Sequence, residues 1–304
     1  MVVPLYNEEE SLHELTEQVN DALNGYSYEL ILVDDGSKDR SWERIMELAE
    51  KRNFIKAISL RKNYGKSYAL QAGFDCASGK YIVTLDADLQ DDPFEIPEMI
   101  ERLKEGNDLV SGWKRKRYDP FSKTIPSRFF NAVTRWATGI KLNDFNCGLK
   151  AYRREVTENI NLYGELHRYI PLLAKWQGYD RITEQEVKHH PRKYGKTKFG
   201  FSRFMKGFLD LVTLLFVGRY MQRPMHFFGT AGFVFSAVGF VINAYIAVLK
   251  IFYGVPIGNR PLFFLGILLL VVGVQLFSVG FLGEMINRNQ EKSFKAGISK
   301  KIGL

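Results

Sequence analysis

Hydrophobic positions change period along this chain. Over the first 112 residues, short apolar runs alternate with amphipathic ones. Runs at Val2–Tyr6, Tyr28–Val33, Ile55–Leu60, Tyr81–Leu85 and Asp108–Gly112 predict buried strands, and the stretches between them predict helices near Glu9–Leu23, Arg40–Lys51, Lys66–Cys76 and Phe94–Lys104. In the first helix Leu12, Leu15, Val19 and Leu23 share one face. Repeated β-α-β units imply an α/β domain, a mostly parallel sheet with helices on both faces. The pattern breaks into a basic, Pro-containing loop from Trp113 to Arg128, then resumes as short mixed elements to about His190.

The last third has a different texture. Phe227–Leu249 and Leu262–Leu282 are nearly uncharged runs of 23 and 21 residues, each long enough to cross a hydrocarbon core of about 30 Å. With the short linker Lys250–Pro261 they predict a transmembrane hairpin; two buried helices of a soluble core are the alternative. Arg219 and Arg223 precede the hairpin, and Arg288, Lys292, Lys295, Lys300 and Lys301 follow it, whereas the linker carries only Lys250 and Arg260. The positive-inside rule therefore puts the N-terminal domain and both termini in the cytosol. Before the hairpin, Phe201, Phe204, Phe208, Leu211 and Leu215 share one helical face, which suits a helix in the membrane interface or one packed on the domain. The expected divisions are a cytosolic domain over 1–198, a juxtamembrane helix over 199–223, the hairpin over 224–288 and a basic tail over 289–304. Gly229, Gly232, Gly239 and Gly280 would permit close helix packing.

The formal charge of +8 is explained by anionic headgroups without nucleic acid, for which no binding motif is present. Cys76 and Cys147 lack metal-ligand spacing and read as reduced thiols. Met1–Leu5 already reads as a strand, so no signal peptide is expected within the chain.

Candidate chemistry gathers where strands end. Asp86 and Asp88, spaced i, i+2, follow the fourth strand in Asp86-Ala87-Asp88-Leu89-Gln90-Asp91-Asp92-Pro93. Carboxylates there suit a hard divalent cation shared with a substrate phosphate; an acidic turn capping the helix near Pro93 is the plain alternative. A second pair, Asp34-Asp35, follows the second strand. A receiver domain or phosphatase would leave the other acidic pair, the basic loop and the hairpin without a role. A dehydrogenase is disfavoured because no Gly-x-Gly-x-x-Gly follows the first strand, and no Walker lysine loop occurs. Lys114, Arg115, Lys116, Arg117, Lys123 and Arg128 form a dense positive set suited to phosphate, or else a solvated loop. His189-His190 reads as a strand-end pair, not a metal site.

Four motifs in order, Val3-Pro4-Leu5-Tyr6-Asn7-Glu8, Val33-Asp34-Asp35-Gly36-Ser37, Arg61-Lys62-Asn63-Tyr64-Gly65-Lys66 and the Asp86–Pro93 segment, resemble glycosyltransferase family 2 enzymes of the GT-A fold. The resemblance covers about residues 1–200 and is nearest to the polyisoprenyl-phosphate branch, which includes dolichol-phosphate mannose synthase. The two-helix tail resembles the bactoprenol glucosyltransferases in particular. It implies that Pro4, Tyr6, Glu8, Asp34, Asp35 and Lys66 line the nucleotide-sugar pocket. Asp86 would hold the ribose or metal side of the donor, Asp88 would bind Mg²⁺ or Mn²⁺, and Gln90 would lie near the sugar. Arg115, Arg117 and Arg128, with Arg192, Lys196 and Lys198 of a later basic motif, would hold the acceptor phosphate. Asp144 falls where relatives place an acid near the reaction centre; an Asx turn is its structural alternative. Ala132 stands where polymer synthases carry the Gln of Gln-x-x-Arg-Trp, which favours a single transfer.

The expected activity is inverting transfer of one hexose, glucose from UDP-glucose first, to undecaprenyl phosphate at the inner membrane of a bacterium. GDP-mannose, UDP-GlcNAc or an amino-arabinose donor would leave much the same motifs, and a homo-oligomer, with a tetramer admitted, is expected. A non-catalytic sugar-nucleotide sensor would not need the basic loop, and a lipid-sugar flippase would need a polar path that two nearly uncharged helices do not offer.

Overall fold

The computed structural model describes residues 1–115, 131–136, 138–191, 193–194, 225–254, 256, 258, 260–289 and 298–302. Contacts divide the chain into two compact units, Met1–Leu211 with Phe294–Leu304, and Val212–Ser293. The expected boundary at 198 and the helix at 199–223 lie outside the described residues.

The first unit is built on an eight-stranded sheet. Strands β1 (Val2–Leu5), β2 (Leu30–Asp34), β3 (Ile55–Leu60), β4 (Tyr81–Thr84) and β5 (Leu109–Trp113) fall within a residue or two of their predicted places. Helices α1 (Leu12–Ala22), α2 (Ser41–Lys51), α3 (Lys66–Cys76) and α4 (Ile96–Lys104) connect them. Three strands were not anticipated: β6 (Lys150–Arg153), β7 (Ile182–Glu186) and β8 (Ile298–Ile302). β6 is short and begins and ends on a cation, and β7 alternates charged and neutral residues on an edge, so neither carries the apolar signature of a buried strand. The order is β7-β5-β6-β4-β1-β2-β3-β8, parallel except where β6 lies against β4 and β5 and where β8 lies against β3.

Alternation along the strands sets the layers. Val3, Leu5, Leu30 and Leu32 face a core shared with Leu12, Leu15 and Val19 of α1, Ile45 of α2, and Ile96, Met99 and Leu103 of α4. Each such fully buried side chain contributes about 1.5–3 kcal/mol. The opposite face takes α3, where Gly73 rests directly on Val2 and Val33 and leaves no room for a methyl group.

The second unit holds two helices, Thr230–Tyr253 and Pro261–Asn289. A π-helical turn, Met225–Gly229, leads into the first, and Gly254 ends it in a left-handed conformation (φ 64°) with its N–H on Leu249 and Lys250 carbonyls. The apolar stretches Met225–Tyr253 and Pro261–Met285 are long and apolar enough to cross a membrane. Only 17% and 11% of their most apolar windows are buried, which is not how helices of a soluble core are covered. Small residues form the seam between them: Gly232 sits on Gly273 and Phe277, Ser236 on Gly273, Gly239 on Gly266 and Leu270, and Asn243 on Gly266. The expected close packing at Gly232 and Gly239 is thus spent inside one hairpin.

Candidate active site at the carboxyl edge of the sheet

The sheet opens between β1 and β4. From β1 the chain winds outward to β2 and β3, then returns across α3 to β4 on the other side of β1, the arrangement in which a crevice forms at the strands' carboxyl ends. The backbone shows why it opens. Met1 and Leu5 present their carbonyls to Ile31 and Asp35 of the β2 side, whereas Val2, in the opposite phase, accepts from Leu85 of the β4 side at 3.2 Å. Pro4 shares the phase of Val2 and has no N–H to offer β4, and Val2↔Thr84 is the only paired position of these two strands.

One lip of the crevice is built from turns tied to one another. Asn7 takes a left-handed conformation (φ 55°); its amide donates to Ser37 Oγ (2.9 Å) and its Oδ1 accepts from Lys38 N (2.8 Å). Glu8 N donates to Ser41 Oγ at 2.9 Å. Asp34 is buried and accepts from Ser37 N (2.9 Å) and Ser59 Oγ (3.4 Å). Asp35, also buried, accepts from Tyr64 N and Gly65 N, each at 2.8 Å. Burial pushes the Asp35 carboxyl above its ordinary pKa, against these two amide bonds. Gly36 (φ 69°) lies against the Lys62 backbone, where no side chain fits.

The other lip carries the alternating residues. Ala87 and Leu89 are buried, while Asp86, Asp88 and Gln90 are half-buried. Asp88 Oδ1 accepts from Gln90 N at 3.3 Å. Asp86 is ion-paired with Lys66, the first residue of α3, and its carboxylate lies on the α-carbon of Gly148. Burial alone would raise the Asp86 pKa, but the charges of Lys66, Lys114 and Lys150 outweigh it and hold the carboxyl below its usual range.

The end of the acidic run is architectural. Asp91 is buried and paired with Lys114 at 2.6 Å. Burial disfavours the Lys114 charge, yet Asp91 more than compensates and raises its pKa. Asp92 caps the 3-10 turn Pro93–Glu95 through Phe94 N (3.0 Å) and lies 3.3 Å from His190 Nε2. The helix-cap alternative therefore describes Asp92 and not Asp86 or Asp88.

Lys114 must be removed from the basic set expected to meet a phosphate. Arg115 is exposed, 3.3 Å from Glu186 and over the Trp113 ring at 6.0 Å. Arg117, Arg128, Arg192, Lys196 and Lys198 lie outside the described residues. Asp144 is buried and forms the Asx turn, Oδ1 accepting from Asn146 N at 3.1 Å. His189 bridges to Asp91 as a strand-end residue.

The site also contains residues the sequence reading passed over. Lys150 is buried, donates to the Cys147 carbonyl, and has its pKa lowered by burial. Burial also pushes the Cys147 thiol up to about 12, which disfavours its thiolate. Ser67, on the first turn of α3, accepts from His167 N at 3.0 Å and docks the 166–168 turn beside Lys66. A glycine opening a strand, as Gly148 does before β6, was the one available signal of close approach.

Among the described residues no three His, Cys, Asp or Glu side chains converge on a metal position. Asp88, with Asp86 already matched by Lys66, fits a hard cation that completes its shell with substrate phosphates, not one caged by protein alone.

Similarity to known proteins agrees with this geometry. Residues 1–160 match the glycosyl transferase family 2 profile. The chain is 40% identical over 294 residues to a dodecaprenyl-phosphate galacturonate synthase of Rhizobium johnstonii, covering 95% of this chain and 87% of that one. It is 36% identical over 293 residues to an undecaprenyl-phosphate 4-deoxy-4-formamido-L-arabinose transferase of Pseudomonas aeruginosa, covering 95% and 84%. Neither relative is named for glucose, so the narrower expectation of a bactoprenol glucosyltransferase is not singled out. In fold it resembles the glucosyl-3-phosphoglycerate synthase of Mycobacterium tuberculosis solved with Mn²⁺ and UDP-glucose (TM-score 0.53, 22% identity, 71% of this chain and 77% of that one). The chain belongs to glycosyl transferase family 2 and is a glycosyltransferase of the GT-A fold.

Proposed function

We propose that the protein transfers a single sugar from a nucleotide sugar to a polyprenyl phosphate at the cytosolic face of a bacterial inner membrane, with inversion. The observation that carries this reading is the Asp86–Asp88–Gln90 face at the mouth of the β1–β4 crevice, in a chain whose likeness to polyprenyl-phosphate sugar transferases spans the hairpin as well. The return of the chain to pair β8 with β3 supports a two-span topology that re-enters the side it left.

In this reading Tyr6, Glu8, Asp34 and Asp35 frame the nucleotide and Lys66 keeps Asp86 ionised beside the donor. Asp88, with Asp86, would hold Mg²⁺ or Mn²⁺, which when bound offsets the charge of the departing diphosphate. Gln90 orients the sugar. Arg115, Arg117 and Arg128, with Arg192, Lys196 and Lys198, receive the lipid phosphate. That nucleophile needs no base, since a phosphate monoester with a second pKa near ~6 is mostly dianionic at neutral pH. Asp144, held in its Asx turn, is then free of proton chemistry.

The sequence ranks UDP-glucose first; the likeness to a dodecaprenyl-phosphate galacturonate synthase supports a galacturonate donor as its main competitor. The test is a panel of UDP-galacturonate, UDP-4-deoxy-4-formamido-L-arabinose, UDP-glucose, UDP-GlcNAc and GDP-mannose with purified protein and undecaprenyl phosphate, read by mass spectrometry of the lipid. One donor should give a polyprenyl-phosphate sugar. Nucleotide binding without product from any donor would instead support a sensor. In the same assay Arg128→Ala should raise the acceptor KM, and an unchanged value would displace it from that site.

A further inference from the structure

After the hairpin the chain returns to the catalytic unit. Residues 290–297 join Asn289 to Ile298, a reach of at most roughly 30 Å. β8 then pairs antiparallel with β3: Ala57↔Ile302, Ile58↔Lys301, Ser59↔Lys300 and Leu60↔Ile298, with a bulge between Ser59 and Leu60. Without β8, β3 would be the sheet edge, with one side of its backbone unpaired.

The bulge falls where β3 hands over to the site. Ser59 donates to Asp34 at 3.4 Å. Beyond Leu60 comes the 61–65 loop, whose Tyr64 and Gly65 amides hold Asp35, and Lys66 follows with its pair to Asp86. Three carboxylates of the crevice thus hang on the segment that β8 pins at its root. Bulges beside sites serve to aim the chain that leaves the strand.

We infer that β8 is a positioning element for the donor side of the crevice, acting through β3. This rests on the crevice being the nucleotide-sugar site. Loss of β8 leaves the folded core in place but frays the end of β3, so the 61–66 loop must be ordered by the donor itself.

The test uses the full chain in membranes. In a Cys76→Ser background, Ala57→Cys with Ile302→Cys should oxidise to a disulfide within one chain, mapped by mass spectrometry. No disulfide, or one only between chains, overturns the inference. Lys300→Pro, which removes a backbone donor from β8, should speed hydrogen exchange of the peptide covering 61–66 and raise the donor KM, each by about tenfold, with the acceptor KM unchanged. Unchanged exchange and donor KM would overturn it. If Lys300→Pro fails to insert, a chain ending at Gly297 is read in the same way. Cross-linking and exchange need no donor, so they decide the strand even if the panel finds no transferable sugar.

Discussion

Two acidic pairs stand at the ends of β2 and β4, the strands on either side of β1, and they do different work. Asp34 and Asp35 are consecutive, so their side chains leave on opposite sides of the chain; both are buried and absorbed by amides of Ser37, Tyr64 and Gly65. Asp86 and Asp88 lie beyond the end of β4, in a turn where Leu89 takes a left-handed conformation (φ 59°), and both are half-exposed, as is Gln90. The first pair shapes the loops; in the second, Asp86 is ion-paired with Lys66 and, in the reading proposed above, both carboxylates serve the donor. Residue type does not separate them; spacing and the available amides do.

The sharpest way to test that difference is Asp88→Ala. If Asp88 holds the cation as proposed, its loss should lower kcat by about 10²–10³ or more, with the circular dichroism and Tm of the wild type. Undiminished transfer by a folded variant would overturn the distinction.

Gly148→Ala comes next. A methyl group there lands on the Asp86 carboxylate; if Asp86 serves the donor as proposed, its displacement should cost roughly 10²-fold in kcat/KM. Lys66→Met probes the same carboxylate electrostatically. Asp86 has a depressed pKa, so its stabilising contribution is present above the unfolded value of about 3.9 and is lost as pH falls through the folded one. Removing the Lys66 charge leaves burial less opposed and raises that value, so the acid limb of the pH profile for donor kcat/KM should move to higher pH. A limb that stays in place would mean that Lys66 does not set the charge of Asp86.

Most of this architecture was legible. The first five strands and four helices follow from period alone, because each buries a complete apolar face. The alternation of Asp86, Asp88 and Gln90 with buried Ala87 and Leu89 was likewise visible in the sequence. What escaped was non-local. β6 pairs with β5 and β4 from 39 to 72 residues away, and β8 joins the sheet only after the hairpin. Nothing within a short window marks Lys114 as the partner of Asp91, and by sequence alone it belongs with the basic loop that follows it.

A smaller effect is expected from Asp35→Asn. An amide can accept one of the two N–H groups but turns a donor toward the other, which costs about 1–3 kcal/mol and lowers the Tm by roughly 2–4 °C per kcal/mol. The sign of the pH dependence checks the cause. Because burial raises the Asp35 pKa, the folded state binds its proton more tightly than the unfolded one, and wild-type stability contributed by this group falls as pH rises through that raised value. The Asn variant should lose that slope. A variant that keeps both the slope and the wild-type Tm would show that Asp35 does not build the loop.

The smallest change should come from Asp92→Ala, four residues beyond Asp88 in the same acidic run. Asp92 caps a short turn through Phe94 N, and loss of such a cap costs about 0.5–2 kcal/mol. Its carboxylate also faces His190 at 3.3 Å, but that contact is exposed on the His side and adds little. Stability should therefore fall slightly while kcat and both KM values remain at wild-type levels. If Asp92→Ala instead damages turnover as Asp88→Ala does, the run acts as one cluster, and the division between charge offered to a substrate and charge consumed by the fold must be redrawn to include its helix-capping end.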